Sequence, residues 1–150
     1  ITSSLYESKY TPSDGIQRNT AFNGNYMVNV LGGYEWEINQ RMRLALNMKM
    51  LAAGGKREKT VDLPASRDAG EPVYDEDKIY NQRLQDYMRL DGRLSFKLNG
   101  EHITQEWALD IRNITDEKNV FVKEFDETTG SIQTKYQQRF FPMFLYRINF

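Results

Sequence analysis

A chain of 150 residues is long enough for one domain with its own core, and the absence of cysteine excludes disulfides and thiolate metal sites. The 20 basic and 21 acidic residues leave a net charge of −1, which argues against a protein that holds nucleic acid by neutralising phosphates. A mean hydropathy of −0.71, with no apolar run of about 18 residues, excludes a helical membrane span but leaves a β-barrel open, because barrel strands are apolar on one side only.

The chain opens on Ile1-Thr2-Ser3-Ser4, already strand-like, and we expect it to begin inside a longer polypeptide. Residues 1–10 are β-prone and predict a first strand; Thr11-Pro12-Ser13-Asp14-Gly15 is turn chemistry, and the polar stretch as far as Asn25 reads as a loop. From Tyr26 the period is two: Val28, Val30, Gly32, Tyr34, Trp36 and Ile38 share one side against Asn29, Leu31, Gly33, Glu35, Glu37 and Asn39. After a short connection at 39–40, Met42, Leu44, Leu46, Met48 and Met50 alternate with Arg41, Arg43, Ala45, Asn47 and Lys49. Helical spacing would instead have mixed Arg43 with Leu46 and Met50. Residues from about 53 to 83 hold Gly54-Gly55, Pro64, Gly70 and Pro72 and read as a long polar loop.

Alternation resumes with Met88, Leu90, Gly92, Leu94, Phe96 and Leu98 against Arg89, Asp91, Arg93, Ser95, Lys97 and Asn99. Asn99-Gly100 is the preferred pair for a two-residue hairpin turn with positive φ at both positions. Ile103, Gln105, Trp107, Leu109 and Ile111 then alternate with Thr104, Glu106, Ala108, Asp110 and Arg112, and residues of about 115–134 form a third polar connection. The last strand puts Pro142, Phe144, Tyr146, Ile148 and Phe150 on one side, against Met143, Leu145, Arg147 and Asn149. The fold class is all-β, with about six antiparallel strands.

The connections run long, short, long, short, long in strict order, as in an outer-membrane barrel, whose turns are short on the periplasmic side and whose loops are long outside. Counting back six strands puts the C-terminus on the short-turn side. In a soluble sheet the apolar side would be the core and the charges solvated; in a membrane barrel the apolar side meets lipid and the charges line the interior. Alternation alone does not choose. Tyr26, Tyr34, Trp36, Trp107 and Phe150 lie toward strand ends, where an interfacial aromatic girdle would want them.

At Leu109-Asp110-Ile111-Arg112-Asn113-Ile114-Thr115-Asp116, followed by Asn119-Val120-Phe121, and at the closing Phe141-Pro142-Met143-Phe144-Leu145-Tyr146-Arg147-Ile148-Asn149-Phe150, the chain resembles the C-terminal end of TonB-dependent outer-membrane receptors. With Asn29-Val30-Leu31-Gly32-Gly33 and Leu51-Ala52-Ala53-Gly54-Gly55 upstream, it looks like the receptors abundant in Bacteroidota. The resemblance covers essentially all of residues 1–150. It implies the C-terminal segment of a transmembrane β-barrel of about 22 strands in the full receptor, with the plug and the N-terminal strands absent here. It implies import of a siderophore, glycan, peptide or similar nutrient, with energy delivered through the TonB complex via an N-terminal part that these residues lack. The implied location is the outer membrane, with the C-terminus periplasmic and the long loops extracellular.

The implied partners are membrane lipid, the plug and upstream strands, the nutrient ligand and the barrel-assembly machinery, with room for a surface lipoprotein. The assembly machinery would read the aromatic C-terminal signature Phe144, Tyr146, Ile148 and Phe150, plausibly by strand addition at an edge. The lumen-facing charges would be Arg89, Asp91, Arg93, Glu106, Asp110 and Arg112, with pairing across the ladder or contact with the plug outweighing ligand binding. Extracellular-loop ligand contacts would fall to Tyr74, Tyr80, Phe121 and Phe125. The alternatives are a soluble β-barrel binding a small ligand, and a passive or structural outer-membrane barrel.

No catalytic constellation stands out, so neither an enzyme nor a cofactor is expected. His102 is the sole histidine and reads as a solvated turn residue. Gly54-Gly55-Lys56 lacks the upstream glycine and the Ser/Thr of a phosphate-binding loop. The run Asp75-Glu76-Asp77 lacks the spaced ligands and the glycine of a calcium loop and reads as a solvated acidic stretch.

Overall fold

The computed structural model describes residues 1–150 apart from the side chains of Glu76 and Asp77. Its strands are β1 (Thr2–Leu5), β2 (Lys9–Tyr10), β3 (Arg18–Asn19), β4 (Tyr26–Glu37), β5 (Met42–Ala53), β6 (Arg57–Val61), β7 (Tyr74–Arg83), β8 (Tyr87–Asn99), β9 (Thr104–Arg112), β10 (Val120–Asp126), β11 (Ser131–Tyr136) and β12 (Phe141–Asn149), with one helix, α1 (Leu63–Ala69). A six-stranded sheet in the order β1-β4-β5-β8-β9-β12 carries the expected strands, each antiparallel to its neighbour. The sheet is open, with β1 and β12 at its edges.

Register keeps the two sides apart across the whole sheet. Trp36, Leu44, Phe96, Trp107 and Tyr146 lie opposite one another in one row, and Tyr34, Leu46, Leu94, Leu109 and Phe144 in the next. On the other side, Glu37, Arg43, Lys97, Glu106 and Arg147 make one row and Gly33, Asn47, Arg93, Asp110 and Met143 another. The aromatic row is in ring contact, with centroids 5.8 Å apart for Phe96–Trp107 and 5.4 Å for Trp107–Tyr146.

Both sides of the sheet are open, and on the charged side Leu31 is 64% exposed and the Glu37 side chain 68%. Tyr34, Leu94 and Phe144 are 64%, 45% and 71% exposed, whereas the side chains of Asp91, Glu106 and Asp110 are 19%, 19% and 25% exposed. Among the described residues the buried apolar side chains are Leu84 and Ala108 alone. The accessible surface is 10374 Å², against roughly 7,900 Å² for a compact monomer of 17.6 kDa. This is a single layer of sheet without a core of its own.

The first strand bends: β1 pairs with β4, while β2 leaves the sheet to pair with β3. The long connections, expected as loops, are hairpins that continue beyond one end of the sheet: β2-β3, β6-β7 and β10-β11. Between β6 and β7 sits α1, whose N-cap Asp62 accepts from the Ala65 N–H at 3.1 Å and whose C-cap Gly70 is left-handed at φ 72°.

The Asn99-Gly100 turn is corrected. Neither residue has positive φ; Gly100–Ile103 close the hairpin through a Gly100 N–H to Ile103 C=O bond of 2.8 Å, and the ladder ends at Asn99 opposite Thr104. This register sets Phe96 against Trp107 and Arg93 against Asp110, and these cross-strand pairs outweigh the local turn preference. At the other short connection the Asn39 side chain accepts from Arg41 and Met42 N–H, both at 2.9 Å.

Candidate functional site

The charged side of the sheet forms an open trough of about 580 Å³ across β4, β5, β8, β9 and β12. Strand parity brings its charges into pairs. Arg93 reaches Glu106 at 3.0 Å and Asp110 at 3.3 Å; Ala108, on the same side between those two acids, is 1% exposed because the arm of Arg93 crosses it. Arg89 pairs with Asp91 at 3.0 Å, and Asp91 also accepts from the Asn113 N–H at 3.0 Å. Arg43 holds Glu35 and Glu37 at 3.3 and 3.0 Å, and Arg147 approaches Glu106 at 3.6 Å. Of the six charges predicted to line the interior, five are thus joined, while Arg112 has no carboxylate within 4.0 Å among the described residues.

At the long-connection end of the same side lies a second cavity of about 220 Å³, walled by Tyr6, Phe22, Met27, Leu51 and Tyr87. Its floor is fixed by glycines: a Cβ on Gly54 would lie 1.7 Å from the Gly24 carbonyl oxygen, and one on Gly55 2.0 Å from that of Leu84. Lys56 lines it too, with Nζ 5.7 Å from the ring centroids of both Phe22 and Phe121. Asp86 ties the surrounding segments together, accepting from Tyr26 Oη at 2.6 Å, from the Gly55 N–H at 3.1 Å and from Arg83. Those hydrogen bonds, the tyrosine's foremost, hold its carboxyl below the usual range.

The outer hairpins dock on one another. Arg67 of α1 donates to the Gly130 carbonyl at 2.7 Å, and Lys123 of β10 pairs with Glu58 of β6 at 2.9 Å. Two asparagines anchor the third hairpin to the sheet. Asn119, nearly fully buried, accepts from the Met88 N–H and donates to the Met88 C=O, both at 2.8 Å. Asn113, left-handed at φ 52°, bonds to the Glu117 and Gln138 carbonyls. Asp116 grips Arg139 and accepts from the Phe140 N–H at 3.0 Å, and Arg139 above all holds its pKa at about 2.

The four aromatic residues predicted as ligand contacts are not brought together. Tyr74 lies under Lys59, with Nζ 5.4 Å from its ring; Tyr80 is left-handed at φ 58°; Phe121 and Phe125 share β10, and of the four Phe121 alone meets the cluster around Lys56. Phe22 and Lys56 were missed, because they reach the cluster from separate connections with no local pattern to announce them. Tyr146 donates to Gln105 at 2.9 Å, and Phe144, Tyr146 and Ile148 of the edge strand β12, with Phe150 just beyond it, are all exposed.

His102 is an exposed turn residue. Asp75 pairs with Lys78 at 2.6 Å, and the rest of its acidic run, the side chains of Glu76 and Asp77, lies outside the described residues. No described helix is long and apolar enough to cross a membrane. Compared with known proteins, the chain matches no family model, no curated sequence and no solved structure.

Proposed function

We propose that residues 1–150 are the C-terminal wall and outer loops of an outer-membrane barrel that imports a bound nutrient in the manner of TonB-dependent receptors. The observation that carries this reading is that the sheet leaves its apolar side uncovered while its charges pair with one another on the other side. A soluble protein does the reverse, since apolar burial supplies most of its stability. Lipid would cover Leu46, Leu94 and Phe144, and further strands of the same barrel would satisfy the edges at β1 and β12.

Two features add support. Short connections gather at one end of the sheet and long hairpins at the other, and the aromatic row Trp36, Phe96, Trp107 and Tyr146 runs beside the short end, where a membrane interface would hold it. The paired trough would line the interior and meet a plug, the hairpins would face outside, and β12 would carry the assembly signature to the barrel-assembly machinery. Coupling to TonB would reside elsewhere in the polypeptide.

The test uses the two tryptophans, which share one row on the apolar side. In lipid vesicles, quenchers fixed on the acyl chains should suppress the emission of both. Emission indifferent to lipid-borne quenchers, in a protein that stays monodisperse without detergent, would overturn the membrane reading.

A further inference from the structure

The carboxylates on the charged side of the sheet are all spent: Glu35 and Glu37 on Arg43, Asp91 on Arg89, Glu106 and Asp110 on Arg93. The cations are not. Lys49, Lys97 and Arg112 have no described carboxylate within 4.0 Å, so the surplus charge along the trough is positive. The same sign recurs at the smaller cavity. Lys56 has no described carboxylate within 4.0 Å either, and the nearby Asp86 is already held by Tyr26, Gly55 and Arg83. An ammonium flanked by two aromatic faces is fixed in position by the rings yet keeps its N–H donors for another acceptor.

We infer that this cavity binds a small solute built from one flat apolar ring and a carboxylate, with the ring among Tyr6, Phe22, Met27 and Tyr87 and the carboxylate on Lys56. The aromatic walls favour a ring, which stacks or meets them edge-on. At about 220 Å³ the cavity is smaller than the roughly 300–1,000 Å³ of clefts for drug-sized ligands, which limits the body to about one ring system. Lys56 selects the charge: a carboxylate accepts a charge-assisted hydrogen bond there, a neutral amide accepts a weaker one, and an ammonium is repelled. The unpaired Lys49, Lys97 and Arg112 further along the same side extend a field of the same sign. As a statement of what is imported this rests on the import reading above; as a statement of binding it does not.

The experiment is calorimetric titration of the full chain, folded in uncharged detergent micelles, with phenylacetate, phenylacetamide and phenethylammonium. Phenylacetate should bind at least tenfold more tightly than the amide, and the ammonium should give no heat of binding. Lys56→Gln should erase that tenfold preference and leave the amide's affinity unchanged, while Lys56→Arg keeps the preference and shows that the site still folds. Micelle partitioning favours the neutral amide, so it cannot produce the expected order. Equal affinities for acid and amide, a preference that survives Lys56→Gln, or no binding of either compound would overturn the inference. Acid selectivity in a protein whose tryptophans ignore lipid-borne quenchers would refute import and leave the binding site standing; quenched tryptophans without selectivity would do the opposite.

Discussion

Replacing Leu94 by arginine separates lipid from water as the neighbour of the apolar side. From Leu98 to Met88, β8 covers ten residue steps, about 34 Å along the strand and about 25 Å along the membrane normal at a tilt of about 40°, the height of a barrel's apolar band. Leu94 lies about 10 Å above the lower edge of that band, within about 3 Å of its mid-plane, whereas Met88 lies at the upper edge. Arginine on the lipid side costs about 2–4 kcal/mol at the mid-plane and about 0–1 kcal/mol near an interface. In water, the same change at a residue 45% exposed should stay within about 0.5 kcal/mol. Urea unfolding from lipid vesicles, extrapolated linearly, measures the difference. Leu94→Arg should be at least about 1 kcal/mol more costly than Met88→Arg. Equal costs for the two variants would refute the assignment of the apolar side to lipid.

Other consequences are local. The Asp116 carboxylate, held at about 2 against an ordinary 3.8, lends stability that is complete above pH 3.8 and is lost as the pH falls through about 2; the Phe140 amide resonance should titrate at the lower value, and Arg139→Gln should move its midpoint upward. Asn119→Ala strands both the N–H and the C=O of Met88, so it should cost about 1–3 kcal/mol and open the β10-β11 hairpin to proteolysis. Gly54→Ala drives a methyl into the Gly24 backbone and should cost about 1–3 kcal/mol in urea melts, whereas Gly32→Ala, with nothing within 4 Å of its Cβ, serves as the mild control.

The main sheet was legible because a period of two persists through β4, β5, β8, β9 and β12, and the sorting of charges from apolar residues follows from that parity alone. Register was less legible. The local preference of Asn99-Gly100 pointed to a tighter turn, and only the cross-strand partners Phe96–Trp107 and Arg93–Asp110 decide for the longer one. The outer hairpins bury no continuous side. Glu58, Lys123, Glu124 and Lys135 hold them by ion pairs, so their strands carry no alternation to read. The helix did leave a signal in Asp62, Pro64 and Gly70, a cap, a first-turn proline and a left-handed stop. In the candidate site, the pairing of Arg93 with Glu106 and Asp110 followed from parity, whereas Lys56 between Phe22 and Phe121 required the tertiary meeting of three connections.

Side-chain size bears on the direction in which the sheet can curl. Ala45, Ser95 and Ala108 stand opposite one another on the charged side, and beside them in sequence, on the apolar side, stand Leu46, Leu94 and Leu109. A sheet bends most readily toward the side whose residues are small, because the large ones gain room on the outside of the curve. Bending the other way, as a soluble barrel with an apolar interior requires, would crowd Trp36, Phe96, Trp107 and Tyr146, already in one row, into the smaller space. Ala108→Leu tests this directly. The added branch occupies the place where Arg93 crosses to Glu106 and Asp110, so it should break both ion pairs and cost about 1–3 kcal/mol, the range for overpacking. The enlargement Leu109→Phe, on the neighbouring apolar side, should cost less than about 0.5 kcal/mol in the same vesicle unfolding assay. The reverse order, with position 109 intolerant and position 108 indifferent, would mean that the apolar side is the crowded one and that the sheet closes around it.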